Sequence, residues 1–173
     1  MTRRGFTLTE LLLVGGVITV LGAFALPYAY AERLALNEQQ AQGYLRMVRG
    51  AQEAWRREVG DYQQIGYIAV QPPISREQRG PGLRTPLLPH GLLPFGEDDI
   101  GHRGGYRFEN GMAPGGSIRG CWAWPETPGY SGKRTFWVEY DAGALFEVLD
   151  PPDWAGYPAL PAPAPDSLVP ITD

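Results

Sequence analysis

Apolar and polar residues follow two different patterns in the first 59 residues of this chain. Residues 6–31 form an apolar run with a single charge, Glu10, whereas residues 32–59 mix charged, polar and apolar side chains. In the second stretch apolar residues recur at steps of three, four or seven, which places them on one face of a helix. The stripe predicted in this way consists of Leu34, Ala41, Leu45, Val48, Trp55 and Val59.

One helix over residues 6–59 would be about 80 Å long at 1.5 Å per residue. Only its second half has a stripe that could pack against a folded head, so the first half must contact lipid or other copies of itself. Helix continuity is weakest at Gly15, Gly16, Gly22 and Pro27. Glycine costs about 1 kcal/mol relative to alanine, and proline removes a backbone hydrogen bond and tends to kink the helix.

The remainder of the chain predicts a loop-rich head containing a four-stranded antiparallel sheet. Gly60 should end the helix, and the prolines and glycines of residues 71–96 argue against regular structure there. Strand patterns follow at residues 105–109, 118–124, 133–140 and 144–148. Turns are expected at Asn110-Gly111 and at Asp141-Ala142-Gly143. The proline-rich tail from Asp150 should be extended or mobile, with Trp154 and Tyr157 as residues that could dock on the sheet.

Net charge argues against one class of protein, and cysteine content rules out another. The formal net charge is −4, and removal of Arg3 and Arg4 with a cleaved leader would take it to about −6. That balance argues against bulk binding to nucleic acid, which requires many cationic contacts to phosphate. A single cysteine, Cys121, rules out an intrachain disulfide framework. Because it lies in an apolar strand-like run, we interpret it as an inert buried thiol.

Two ordinary interpretations of the N-terminal segment leave a feature unexplained. A secretory signal peptide would combine Arg3 and Arg4 with the apolar run and a small-x-small site at residues 29–31. A simple membrane anchor also fits, because residues 6–31 would be about 39 Å long as a helix and a bilayer core is about 30 Å thick. Neither interpretation explains Glu10, since a carboxylate in an apolar span is costly in lipid and usually marks function.

The residues Arg-Gly-Phe-Thr-Leu-Thr-Glu-Leu-Leu at positions 4–12 resemble the class III signal sequence of type IV prepilins and type II secretion pseudopilins. In that family a membrane-embedded aspartyl peptidase cuts between the glycine and the phenylalanine and methylates the new amino terminus. The resemblance therefore implies cleavage after Gly5 and N-methylation of Phe6. The family's invariant glutamate matches Glu10, and its common helix proline matches Pro27.

The resemblance also implies an architecture and an assembly contact. The expected fold is α+β and pilin-like, with a long N-terminal helix, half of it transmembrane, packed on the four-stranded sheet. Glu10 lies four residues after Phe6, on the same side of the helix, and can neutralise an amino terminus, either its own or that of an adjoining subunit. The stretch that includes Gly15, Gly16, Gly22 and Pro27 is expected to kink or partly melt when the subunit packs; the alternative is the ordinary tolerance of glycine and proline in a membrane helix.

These expectations divide the chain into a leader at residues 1–5, a filament-core half-helix at 6–31, an exposed half-helix at 32–59 and a head with its tail at 60–173. The chain should be a single-pass precursor in the inner membrane and then a subunit of a periplasmic or cell-surface filament. Its expected partners are the membrane, the prepilin peptidase and copies of itself or related pilins. A type II secretion pseudopilin and a minor pilin for DNA uptake or adhesion remain alternatives, which the neighbouring genes would separate.

The competing class is an enzyme or binding domain that merely has a lipid anchor. The sequence contains no catalytic constellation, which weighs against the enzyme version, so we expect a protein that is not an enzyme. His90 and His102 lie in predicted loops without metal-ligand spacing. No cofactor is expected, although clustered carboxylates leave calcium as a minor alternative to solvated turns. These carboxylates are Glu97, Asp98, Asp99, Asp141, Asp150 and Asp153.

Overall fold

A computed structural model describes residues 7–70, 88, 100–151 and 160–171, and helix α1 (Leu8–Val59) dominates it. The helix has 52 residues, which corresponds to about 78 Å. Thr7 is its N-cap, and Gly60 ends it in the left-handed conformation (φ 92°) with its N–H bonded to the carbonyl of Arg56 at 2.8 Å. Glycine suits this position because a side chain would strain a positive φ. The predicted helix end is confirmed.

The head is one antiparallel sheet with a parallel addition at one edge. After a short helix, α2 (Ile65–Val70), the chain forms β1 (Gly101–Arg103), β2 (Tyr106–Met112), β3 (Ile118–Pro125), β4 (Thr135–Glu139), β5 (Leu145–Val148), β6 (Leu160–Pro161) and β7 (Leu168–Pro170). The strand order is β1-β2-β3-β4-β5-β7, and β6 pairs in parallel with the far end of β2. A long helix on an antiparallel sheet is the α+β arrangement that the resemblance implies.

The four predicted strands correspond to β2, β3, β4 and β5, but the prediction of only four strands is wrong. Within the described residues the sheet has seven strands, because β1, β6 and β7 add two or three residues each at its margins. Strands this short leave no alternation in the sequence to detect. In the described part of the tail, β6 and β7 are paired into the sheet; Trp154 and Tyr157 lie outside the described residues.

The predicted turn at Asn110-Gly111 is also wrong, because both residues lie inside β2 and pair with Cys121 and Gly120. The chain reverses later, where the N–H of Ala113 donates to the carbonyl of Ser117 at 2.9 Å. A Cβ on Gly111 would lie 2.3 Å from the ring of Trp137. Glycine is therefore needed here for ring packing and not for a turn. The predicted turn at residues 141–143 is confirmed, with Gly143 at φ 70°.

Two apolar layers stabilise the head on opposite faces of the sheet. One layer joins α1 to inward-facing sheet residues such as Phe108, Phe136 and Tyr140. The other layer is built around Trp122, Trp124 and Trp137, with Val148 and Leu160. Of the predicted helix stripe, Leu34, Ala41, Leu45, Val48 and Trp55 are buried as expected. Val59 is 40% exposed, because it lies in the last turn of α1, so its assignment to the buried stripe is wrong.

Candidate assembly site

The first half of α1 presents an uncovered apolar surface. Between Leu8 and Ala31 no residue is buried, and the large aliphatic side chains are half to four-fifths exposed. Within the described residues, α1 is the one helix long and apolar enough to cross a membrane. Contiguous apolar surfaces of this extent are rare on soluble monomers and mark contacts with a membrane or another protein. The described part of the head covers none of this surface apart from a contact at Tyr30 described below.

Glu10 closes the N-terminal end of α1 in a capping box with Thr7. The backbone N–H of Thr7 donates to Oε2 of Glu10 at 2.8 Å, the Thr7 hydroxyl donates to the same oxygen at 2.9 Å, and the N–H of Glu10 donates to Thr7 Oγ1 at 3.3 Å. This arrangement satisfies two otherwise unpaired groups of the first turn. The Glu10 carboxylate thus folds back toward the N-terminal end of the helix. Gly5 and Phe6 lie outside the described residues.

The helix continues without a break past the residues predicted to weaken it. Pro27 lies inside α1, and a Cβ on Gly15, Gly16 or Gly22 would meet no atom within 4 Å. Thr19 donates its hydroxyl to the carbonyl of Gly15 at 2.8 Å, a bond that often accompanies helix bending. The space around these glycines leaves room for a neighbouring helix to approach closely. Melting of this stretch on packing stays a prediction.

Glu38 fixes the head to the start of the second half of α1. The residue is 7% exposed. Its carboxylate accepts hydrogen bonds from the N–H of Lys133 at 3.0 Å and from Nε of Arg134 at 2.7 Å. Partial burial alone would lower the pKa of Arg134, but Glu38 and Glu147 outweigh this and raise the pKa above its usual range. The pair therefore ties the beginning of β4 to the helix.

Sequence reasoning missed Glu38, although a signal was present. Leu34, Glu38, Ala41 and Leu45 follow the same steps of four, three and four, so Glu38 falls inside the predicted apolar stripe. Gln52 occupies the stripe in the same way and is fully buried, with its amide bonded to the backbone of Gln63. A polar residue at a stripe position indicates a buried polar contact.

At the other end of α1, arginines bind the turn between β4 and β5. Nη1 of Arg49 donates to the carbonyl of Gly143 at 2.6 Å, and Arg56 pairs with Asp141. The hydroxyl of Tyr62 donates to Asp141 at 2.9 Å. Hydrogen bonds from Tyr62 and Arg56 hold the pKa of Asp141 below its usual range, and partial burial raises the pKa of Tyr62. The turn is thus fixed by charge-assisted bonds near the surface.

Cys121 lies on β3 in the layer beneath α1 and is fully buried. Its thiol donates to the carbonyl of Trp122 at 3.3 Å. Burial raises its pKa far above the usual range, so the reactive thiolate is disfavoured. The buried position predicted for this thiol is confirmed.

The candidate ligand residues are not assembled into a metal site in the described ranges. His102 lies 3.4 Å from Glu126, which also approaches Arg107 at 3.9 Å. Among the residues described, no group of three or more His, Cys, Asp or Glu side chains could hold a metal ion. Asp141 is bound to Arg56 and Tyr62, whereas His90, Asp153 and residues 97–99 lie outside the described ranges. The expectation of no cofactor, with calcium as its minor alternative, stays a prediction.

Comparison with curated proteins finds a pilin-like relative. The chain is 47% identical over 57 residues to the pilin-like protein PilA1 of Thermus thermophilus. The match covers 33% of this chain and 36% of that protein, so it spans about a third of the relative's length. No family profile matches the chain, and no solved structure matches it. The match supports the resemblance to type IV pilins, and the long apolar helix fits it.

Proposed function

We propose that this protein is a structural subunit of a type IV pilus-like filament, held in the inner membrane as a precursor and assembled through the first half of α1. The observation that carries the proposal is the uncovered apolar surface of that half-helix, which the head leaves free over almost its whole length. The pilin-like relative supports the same function. A subunit that acts by assembly needs a helix that contacts lipid in the precursor and other subunits in the filament.

Processing by a prepilin peptidase would expose Phe6 as the mature amino terminus. Thr7 has an extended backbone (φ −81°, ψ 150°) and α1 begins at Leu8. The proposed cut between Gly5 and Phe6 therefore falls before the N-cap of α1. The leader with Arg3 and Arg4 would stay on the cytoplasmic side, as positive residues next to a span usually do.

Glu10 would then pair with the ammonium group of an amino terminus. Its carboxylate already lies 2.8 Å from the backbone nitrogen of Thr7, one residue after the new terminus. A carboxylate offers about four acceptor positions, so the two bonds from Thr7 leave capacity for a cationic donor. In lipid or in a filament core an unpaired ammonium is expensive. Pairing with Glu10 of a neighbouring copy would therefore favour correct docking of the incoming subunit.

The test separates the charge of Glu10 from its capping role. The chain is expressed as the sole pilin of a cell that has the assembly machinery, and protein is quantified in membrane and sheared filament fractions. Glu10→Gln keeps a side chain that can complete a capping box but removes the charge. We expect normal insertion and cleavage, with an intact mass starting at Phe6, and at least about a tenfold loss of filaments.

Two variants complete the test. Thr7→Ala removes the cap side chain but keeps the carboxylate, and it should assemble much better than Glu10→Gln. Gly5→Val should remain an uncut precursor in the membrane. If Glu10→Gln assembled like the wild type, the carboxylate would not be the assembly contact. If the mature protein began at Glu32, the segment would be an ordinary signal peptide and the proposal would be wrong.

A further inference from the structure

Three exposed tyrosines lie where the apolar half of α1 ends. Tyr28 is 76% exposed and Tyr30 40% exposed on the helix, and Tyr130 is 60% exposed on the loop between β3 and β4. At 100° per residue, Tyr28 and Tyr30 project about 200° apart, on opposite sides of α1. Tyr130 of the head lies beside Tyr30, with the two ring centroids 6.0 Å apart. Aromatic residues therefore lie on two opposite sides of the helix at this level.

The loop that carries Tyr130 is held in place by hydrogen bonds. The side chain of Ser131 bonds to the N–H and the carbonyl of Thr127 at 3.0 and 3.1 Å, and Gly129 donates its N–H to the carbonyl of Gly132 at 2.7 Å. A positive φ of 79° at Gly129 permits this tight fold. The exposure of Tyr130 is therefore a property of the folded loop and does not result from fraying.

Contacts with α1 fix the height of the loop along the helix. The hydroxyl of Tyr30 donates to the carbonyl of Gly129 at 2.7 Å, and Nδ2 of Asn37 donates to the carbonyl of Ser131 at 2.8 Å. The loop is thus bound to both the last apolar turns and the first polar turns of α1. Tyr130 cannot move along the helix without breaking these bonds.

The level of the three tyrosines matches the edge of a bilayer. Leu26 is the last large aliphatic residue of the apolar run, and Glu32 is the first charged residue after it, so Tyr28 and Tyr30 lie between the two. Tyr30 lies 22 residues after Leu8, which is about 33 Å along a helix, compared with a hydrocarbon core of about 30 Å. Tyrosine is enriched at this depth because its ring is apolar and its hydroxyl is polar.

We propose that the loop of residues 127–132 is a lipid-contacting element, in which Tyr130 inserts into the outer headgroup layer beside Tyr30, at the level of Tyr28, and so seats the head on the membrane. This inference rests on the proposed function, because it requires that the first half of α1 spans the bilayer. The lipid surface is the partner that the geometry favours, since the tyrosines lie at one level at the end of the apolar span and on two opposite sides of the helix. A single protein neighbour would cover one side only.

The experiment measures the depth of spin labels on the full chain in phosphatidylcholine vesicles, which have no net charge to attract the head. Thr127→Cys places a label on the loop without removing Tyr130, and Leu12→Cys reports on the span. Ala142→Cys is the aqueous control, because its turn binds Arg56, about 39 Å along α1 from Tyr30. Cys121 is buried, and unmutated protein checks that it stays unlabelled. Depth is read from accessibility to oxygen and to a water-soluble nickel complex.

We expect the label at position 127 to lie at headgroup depth and the label at 142 to lie in water. Adding Tyr130→Ser should move the label at 127 outward, with at least about a twofold rise in nickel accessibility, whereas Tyr130→Trp should keep it in place. If the label at 12 is in lipid but the label at 127 is in water, this inference is wrong and the membrane span stands. A label at 12 in water overturns both.

Contact with a second copy is distinguished in the same samples. If Tyr130 were covered by another subunit, labels at position 127 would show spin–spin broadening that disappears on dilution with unlabelled protein. Broadening of this kind together with low accessibility to both reagents would overturn the lipid assignment.

Discussion

The two halves of α1 have the same backbone conformation but opposite surroundings. In the half before Glu32 no described residue is buried, whereas eight residues of the second half are buried against the head. These eight are Leu34, Glu38, Ala41, Leu45, Val48, Ala51, Gln52 and Trp55. The second half is therefore stabilised by tertiary packing within the chain. The first half has little beyond its own hydrogen bonds and its cap, so its burial must come from outside the chain.

This contrast explains why the two halves differ in amino-acid pattern. The covered half needs one apolar stripe, because a single sheet lies on it and its remaining faces meet water. The uncovered half is apolar on every side, which suits a helix surrounded by lipid or by other helices. Glu10 is the exception in that half, and it lies at the N-terminal end where it caps the first turn. A continuous helix can thus serve two different environments.

The largest expected effect, a change in solubility, comes from removing the first half of α1. A protein that starts at Glu32 should be soluble without detergent and should retain the head fold, since the buried stripe begins at Leu34. It loses the contacts of Tyr30 with Gly129 and Tyr130 but keeps those of Glu38. Solubility, circular dichroism and a cooperative thermal transition check this prediction. The full chain should remain in the membrane or in detergent.

A matched control removes the stripe as well. A protein that starts at residue 46 lacks Leu34, Glu38, Ala41 and Leu45, and it should fail to fold, because the sheet would expose the face that these residues cover. If the version starting at Glu32 were well expressed but unfolded, the division of α1 into two halves would be wrong. If the version starting at residue 46 folded normally, the helix stripe would contribute less than its burial indicates.

Sequence patterns predicted the helix, its stripe and the central strands because each repeats over many residues. The margins of the sheet could not be predicted in this way, since β6 and β7 consist of two and three residues held by pairing with β2 and β5. Gly111 was misinterpreted because its role depends on Trp137 from another strand. A local turn signal cannot reveal a contact between residues far apart in sequence.

In the candidate site, too, sequence patterns revealed local contacts but not contacts between residues far apart in sequence. Glu10 could be predicted because its chemistry contrasts with an apolar run, and its cap with Thr7 is a local contact. Glu38 lies in the predicted stripe, which indicates a buried polar contact, but its partners, Lys133 and Arg134, are nearly a hundred residues away and could not be identified. The Tyr130 loop was missed for a similar reason, since only the fold brings it beside Tyr30. Long-range pairs leave no periodic pattern.

The second prediction tests the contact of Glu38 with the start of β4, at the beginning of the covered half of α1. Glu38→Ala should lower the free energy of unfolding of the version starting at Glu32 by about 2–3 kcal/mol. The substitution leaves the N–H of Lys133 without its acceptor and removes the partner of Arg134. Because Arg134 is 43% exposed, the loss should be smaller than for a fully buried pair. Urea unfolding monitored by tryptophan fluorescence provides the measurement.

The exposed residue Glu32 gives a matched control for this change. Glu32→Ala removes a carboxylate from the same helix without a buried contact, so it should change the stability by no more than about 0.5 kcal/mol. Equal effects of Glu32→Ala and Glu38→Ala would mean that helix charge, and not the contact with β4, determines stability.

The smallest expected effect lies at the far end of the covered half, where Arg56 and Tyr62 bind Asp141. The side chains of Arg56 and Asp141 are 49% and 63% exposed, so water and salt screen their attraction. Asp141→Asn should therefore destabilise the head only slightly at neutral pH. Since folding lowers the pKa of Asp141, its contribution is present above the unfolded pKa and is lost as the pH falls through the folded value. The difference in Tm between wild type and Asp141→Asn should thus shrink as the pH falls below about 4.

The same difference in Tm should also shrink in high salt, whereas the effect of Glu38→Ala should persist there, because Glu38 is largely withdrawn from solvent. A difference that grew on acidification would show that Asp141 is not stabilised as a carboxylate. The turn would then be held mainly by the bond from Arg49 to Gly143.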